Sequence, residues 1–192
     1  RFVLRDTQKQ PSIAVDYSLD LEDGIGFNQR TFGVQVRKNT NGSVINHETS
    51  IGFYKIKHSQ NQVLSGQKFE IGHAFRKPIG TSYYLLNTTF GKLLLKETSF
   101  SKNYMDITLS VHSTLQDFKL NPSVYRSFSQ NEATDFLWGL RREDEAIGAS
   151  IAVCKKTTFL DMGEVCLEYS YEIRDSNINF YNYKNQSIEL IF

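Results

Sequence analysis

Residues 12–22, SIAVDYSLDLE, alternate apolar and polar side chains almost without a break. Ile13, Val15, Tyr17, Leu19 and Leu21 fall on one side of an extended chain, and Asp16, Ser18, Asp20 and Glu22 on the other. A period of two over this length dictates a strand with one solvated face. Phe32, Val34 and Val36 continue the pattern, as do Met105, Ile107, Leu109 and Val111. Further strands are expected near 50–57, 68–76, 81–88, 92–98, 104–113, 148–158, 164–174, 178–183 and 187–192. DGIG (23–26) and KNTNG (38–42) supply turns, since Gly and Asn tolerate positive φ. About ten strands with turns every 8–12 residues predict an all-β fold, an antiparallel β-sandwich or jelly-roll-like domain. A chain of 192 residues suits a single domain, 1–192.

One stretch departs from this period. SFSQNEATDFLWGLRRED (127–144) places Ala133, Phe136, Leu137 and Leu140 at helical spacing. Ser129 and Glu132 form a capping-box pattern, and Arg141 and Arg142 suit a helix C-terminus. The pattern predicts one α-helix near 130–142, closing the open end of the sheets, with Trp138 to the side of its apolar stripe.

Composition narrows the function classes. The net charge is +1, with 22 basic and 21 acidic residues. A duplex-binding domain carries a large basic excess, so there is no strong nucleic-acid signal. No apolar run approaches the roughly 20 residues of a helical membrane span, so no transmembrane segment is expected. The chain begins at Arg1 rather than methionine, which a cleaved leader, a cut from a larger chain and a trimmed start would produce alike.

Catalytic motifs are missing. His47, His58, His73 and His112 show no metal-ligand spacing, and His73 shares an apolar face with Phe69, Ile71 and Phe75, where a hydrogen-bonded core histidine is expected. No nucleophile elbow or phosphate-binding glycine loop occurs. Glu168 and Glu172 share a strand face, as do Asp16, Asp20 and Glu22, which the polar side of an antiparallel sheet explains. The sequons NGS, NTT and NQS are no more than the Asn, Ser and Thr content supplies by chance. No catalytic, cofactor or metal residue is therefore assigned. Cys154 and Cys166 flank FLDMG (159–163). A tight turn on Asp161-Met162 leaves them three positions out of line, so free thiols are expected, whereas a loop centred on Leu160 would set them opposite each other.

These features predict a non-enzymatic interaction or assembly protein acting through self-association or a protein partner, as viral structural proteins of the single jelly-roll kind do, and a homo-oligomer fits that reading. An extracellular ligand- or carbohydrate-binding sandwich is the first alternative, with the tyrosines of NFYNYKN (179–185) stacking on sugars. An enzyme whose site assembles only in the fold is the second. The candidate contact residues are Ile188, Leu190 and Phe192 on an unblocked C-terminal strand, and Trp138, Arg141 and Arg142 on the helix flank.

Overall fold

The computed structural model describes residues 2–4, 12–21, 28–41, 45–58, 62–156 and 164–191. Its strands are β1 (Phe2–Leu4), β2 (Ser12–Leu21), β3 (Asn28–Asn41), β4 (Asn46–His58), β5 (Gly66–Ile79) and β6 (Ser82–Leu95). They continue as β7 (Lys102–Leu115), β8 (Phe118–Thr134), β9 (Arg141–Lys156), β10 (Glu164–Ser176) and β11 (Tyr183–Ile191). All are antiparallel and lie in one sheet in chain order, so each strand pairs with its sequence neighbours. The sheet is open, with β1 and β11 at its two edges. The second sheet that a sandwich or jelly roll requires is not found among the described residues.

The alternating segments became strands as expected, with Val15 opposite Val34 and Val36 opposite Ile51. Two expected strands, 81–88 and 92–98, are one: β6 runs straight through Phe90-Gly91, where Gly91 lies opposite Tyr104. The segment 178–183 is not a strand but a 3-10 turn over Asn179–Tyr181 leading into β11. DGIG, the tight turn at Asp161-Met162 and Phe192 lie outside the described residues. Of the expected turn KNTNG, Lys38 to Asn41 instead extend β3 in register with β4, and only Gly42 lies outside the described residues.

The helix near 130–142 is not formed. Residues up to Thr134 complete β8, and β9 starts at Arg141. Phe128 is paired on both sides, to Met105 and to Glu145, so ladder hydrogen bonds from two neighbouring strands outweigh a weak local helical preference. The helical stripe is instead a turn. Asp135 accepts backbone N–H bonds from Leu137 (2.9 Å) and Trp138 (3.3 Å), and Gly139 takes φ +62°, a conformation that favours glycine.

Cys154 and Cys166 lie directly opposite each other in the β9–β10 register and form a disulfide, which corrects the expectation of free thiols. Their pairing is the one that the longer loop centred on Leu160 provides. Thiol counting on the denatured, unreduced protein is expected to find none from this pair, and both after reduction.

The distribution of apolar side chains is inverted relative to a water-soluble domain. Among the described residues only Tyr54, Ile56, Ala146, Cys154 and Ile178 form a buried hydrophobic set, whereas 34 large hydrophobic residues are exposed. Burying apolar area is the main force that holds a soluble chain folded. A sheet with so small a core therefore needs something else against its apolar face.

Candidate functional site

Alternation divides the sheet into two unlike faces. The outward face carries Val34 and Val36 on β3, Ile51 and Phe53 on β4, and Phe69 and Ile71 on β5, all about half exposed. It continues through Leu86 and Phe90 of β6, Leu109 of β7, Val124 of β8, Ile147 to Val153 of β9, and Ile188 and Leu190 of β11. These are ladder partners: Leu86 faces Leu109, Leu109 faces Val124, and Leu167 faces Leu190.

The apolar residues do not follow one hydrogen-bonded row. The row through Val34 passes Phe53, Phe69 and Lys92 and reaches Asn103 on β7, whose apolar stretch Met105–Val111 is centred about five residues further on. Five residues at ~3.3 Å, over four strand steps at ~4.8 Å, tilt the strands by roughly 40° from the normal to the apolar band. Two more steps lead to Glu143 on β9, whose stretch Ile147–Val153 lies about seven residues along, at a similar slope. Arg126 of β8 lies within the band, between Ile107 and Ile147, and is paired with Glu145 at 2.6 Å, whereas on β9 charges stand only at the margins. On β9 the outward positions read Glu145, Ile147, Ala149, Ile151, Val153, Lys155. At ~3.3 Å per residue and this tilt, Glu145 and Lys155 stand about 25 Å apart along the band normal.

The inward face is polar and concave. A cavity of about 340 Å³ is lined from six strands, β5 to β10. Two tyrosine–carboxylate bridges lie on this inward face, the first of them lining the cavity. Tyr104 of β7 lies over Gly91 of β6 and donates to Glu70 of β5; Tyr125 of β8 lies over Gly148 of β9 and donates to Glu172 of β10. In each case the central residue has no side chain because the ring fills its place, so a Cβ at Gly91 or Gly148 would overlap the tyrosine. Tyr54 covers Gly33 and Gly52 in the same manner. Glu172 also accepts from Tyr183 and from Arg174 Nη2 (3.3 Å). Burial would raise its carboxyl pKa, but the bonds from Tyr125 and Tyr183 and the Arg174 charge outweigh that and hold it below the usual range.

Burial, together with the bond to Glu70 and that group's charge, pushes the Tyr104 hydroxyl well above its ordinary value near 10. The folded pKa is raised, so the contribution of Tyr104 to stability is complete below about pH 10 and is lost as pH rises toward the folded value. Urea unfolding between neutral pH and strong alkali is expected to show a shallower alkaline loss in Tyr104→Phe than in the parent. Equal slopes would exclude this linkage.

The other residues singled out in the sequence are spread over the sheet. Trp138 sits half-exposed on the β8–β9 turn with Phe180 6.3 Å away, ring centre to ring centre. Arg141 Nε donates to Asn131 O (2.5 Å). Arg142 turns inward, pairs with Asp144 at 2.6 Å, and stacks on Tyr181 at 3.7 Å. Ile188 and Leu190 lie exposed at the other end of β11. Tyr181 donates to Asp135 (2.7 Å) and Tyr183 to Glu172, so both hydroxyls of the supposed sugar-stacking segment are held within the chain. His73 shares its face with Phe69, Ile71 and Phe75 as expected. That face is the exposed one, and its Nδ1 meets Thr49 Oγ1 at 2.9 Å. No group of three metal-ligating side chains occurs among the described residues, and no helix of the structure is long and apolar enough to cross a membrane. Sequence reasoning missed the tyrosine bridges. The glycines opposite the tyrosines were their signal, and it is readable only once the register is known.

No protein-family model, no curated protein and no solved structure matches the chain.

Proposed function

We propose that this chain is a non-enzymatic, membrane-embedded β-sheet, part or all of the wall of a barrel, whose outward face lies against lipid acyl chains. The observation that carries the reading is the diagonal apolar band. Strands of transmembrane barrels tilt by about 35–45°, alternate apolar-out and polar-in, and carry an apolar belt about 25 Å tall. The slope, the alternation and the Glu145–Lys155 interval agree with all three. The lack of a long apolar helix does not weigh against it, because strands cross a membrane by alternation rather than by a continuous run.

Assembly through a strand edge belongs to the same reading. β11 pairs with β10 on one side only, and hydrocarbon leaves no water to satisfy an unpaired edge. Another strand, from β1 or from a second chain, therefore pairs with β11 in the membrane, beside the exposed Ile188 and Leu190. Trp138, Phe180 and Arg141, at the turns beyond the charged margin, form a second surface suited to a protein partner.

The test is to refold the urea-unfolded chain with phosphatidylcholine vesicles and float them through a density gradient. Strand-rich protein that floats and resists a urea wash supports the reading. A strand-rich monomer that stays in the aqueous fraction without vesicles or detergent would overturn it. Aqueous assembly into a discrete oligomer with the outward face covered would return the chain to a protein-binding role.

A further inference from the structure

The cavity is lined by three cations, Lys68, Lys102 and Arg174, and three carboxylates, Glu70, Asp106 and Asp144, whose bonding is unevenly shared. Glu70 is taken by Lys68 (2.8 Å) and Tyr104, and Asp144 by Arg142 on both oxygens. Glu172, beside the cavity, is taken by two tyrosines, while Asp106 accepts from the Ser127 hydroxyl through Oδ1 only. The Lys102 side chain, by contrast, has no ion pair or hydrogen bond within the described residues, although it lines the cavity on β7 beside Tyr104 and Asp106. Arg174, on the same cavity from β10, makes one 3.3 Å contact with Glu172, and its Nε is buried without a partner. The two cations act on each other: burial first, then the Arg174 charge, lower the Lys102 pKa, with Asp144 and Asp106 opposing. Lys102 is half-buried, and an ammonium withdrawn from water carries a cost unless it is paired.

We infer that Lys102 and Arg174 form an oxyanion site on the inward face, taking a phosphate or carboxylate group. The ammonium supplies a point charge and the guanidinium its under-used N–H donors, the combination that binds such oxygens with charge-assisted hydrogen bonds. Ser127 and Ser129 line the same cavity, and the Ser129 hydroxyl adds a neutral donor. The site lies on the polar face, so it does not depend on what covers the apolar one.

The full chain, folded in detergent or in buffer, is titrated by calorimetry with inorganic phosphate and, separately, with acetate. Saturable binding of either is expected, and the stronger of the two identifies the class. Lys102→Met should weaken binding about tenfold or more, the loss of one charge-assisted contact. Lys68→Met, which removes an amine already paired with Glu70, should leave it within about twofold. A readout without variants accompanies this: reductive methylation followed by mass spectrometry, in which the bound anion should slow modification of Lys102 and not of Lys68. Absence of binding by both anions at millimolar concentration, or binding that neither protects Lys102 nor responds to its loss, overturns the site.

Discussion

Leu109→Lys is expected to destabilise the protein by about 2–4 kcal/mol when it is folded in vesicles, the cost of a lysine near the middle of an apolar belt. Leu109 is central in the β7 stretch Met105–Val111, flanked by Leu86 and Val124, and 45% exposed. In water an exposed leucine tolerates lysine within about 0.5 kcal/mol, so the substitution separates the two environments. Asn103→Lys is the control. It lies on the same strand and outward face, in the row with Lys92 at the charged margin, where the cost falls to about 0–1 kcal/mol. Urea unfolding of the vesicle-bound protein measures both. Equal, small effects at the two positions would contradict lipid contact at Leu109.

Gly148→Ala is expected to cost about 1–3 kcal/mol, although it adds one methyl group. The Tyr125 ring lies where that methyl must go, on its way to Glu172. Either the methyl is overpacked, at about 1–3 kcal/mol, or the ring swings away and a hydrogen bond to a charged acceptor is lost, at about 1.5–3 kcal/mol. The mechanism makes a sharper claim than the size does. In Tyr125→Ala the space is already empty, so adding Gly148→Ala to it should cost little, and the double variant should be clearly more stable than the sum of the singles. Additive effects would show that the glycine is needed for another reason. Gly91 and Tyr104 form the same kind of pair on the same inward face and should behave alike.

The sequence by itself determined that the chain is strand-rich and antiparallel, and placed the longer strands, because a period of two is written into successive residues and needs no partner to be read. Met105, Ile107, Leu109 and Val111 had to share a face. Which medium meets that face is not a property of the strand, since an apolar side serves a sandwich core and a bilayer equally well. Only the arrangement of eleven strands in one sheet, with no second layer over Leu109 or Val124 among the described residues, shows that this face is left uncovered. The misread helix has a related cause. Ala133, Phe136, Leu137 and Leu140 satisfy a local rule, while the pairing of Phe128 with Met105 and Glu145 is non-local and enters no window of sequence. Register was likewise a tertiary decision. It set Cys154 opposite Cys166, laid Tyr125 across Gly148, and brought Lys102 and Arg174 from strands three apart to one cavity. A slip of one residue along a strand would have preserved every composition argument and sent each of those side chains to the other face.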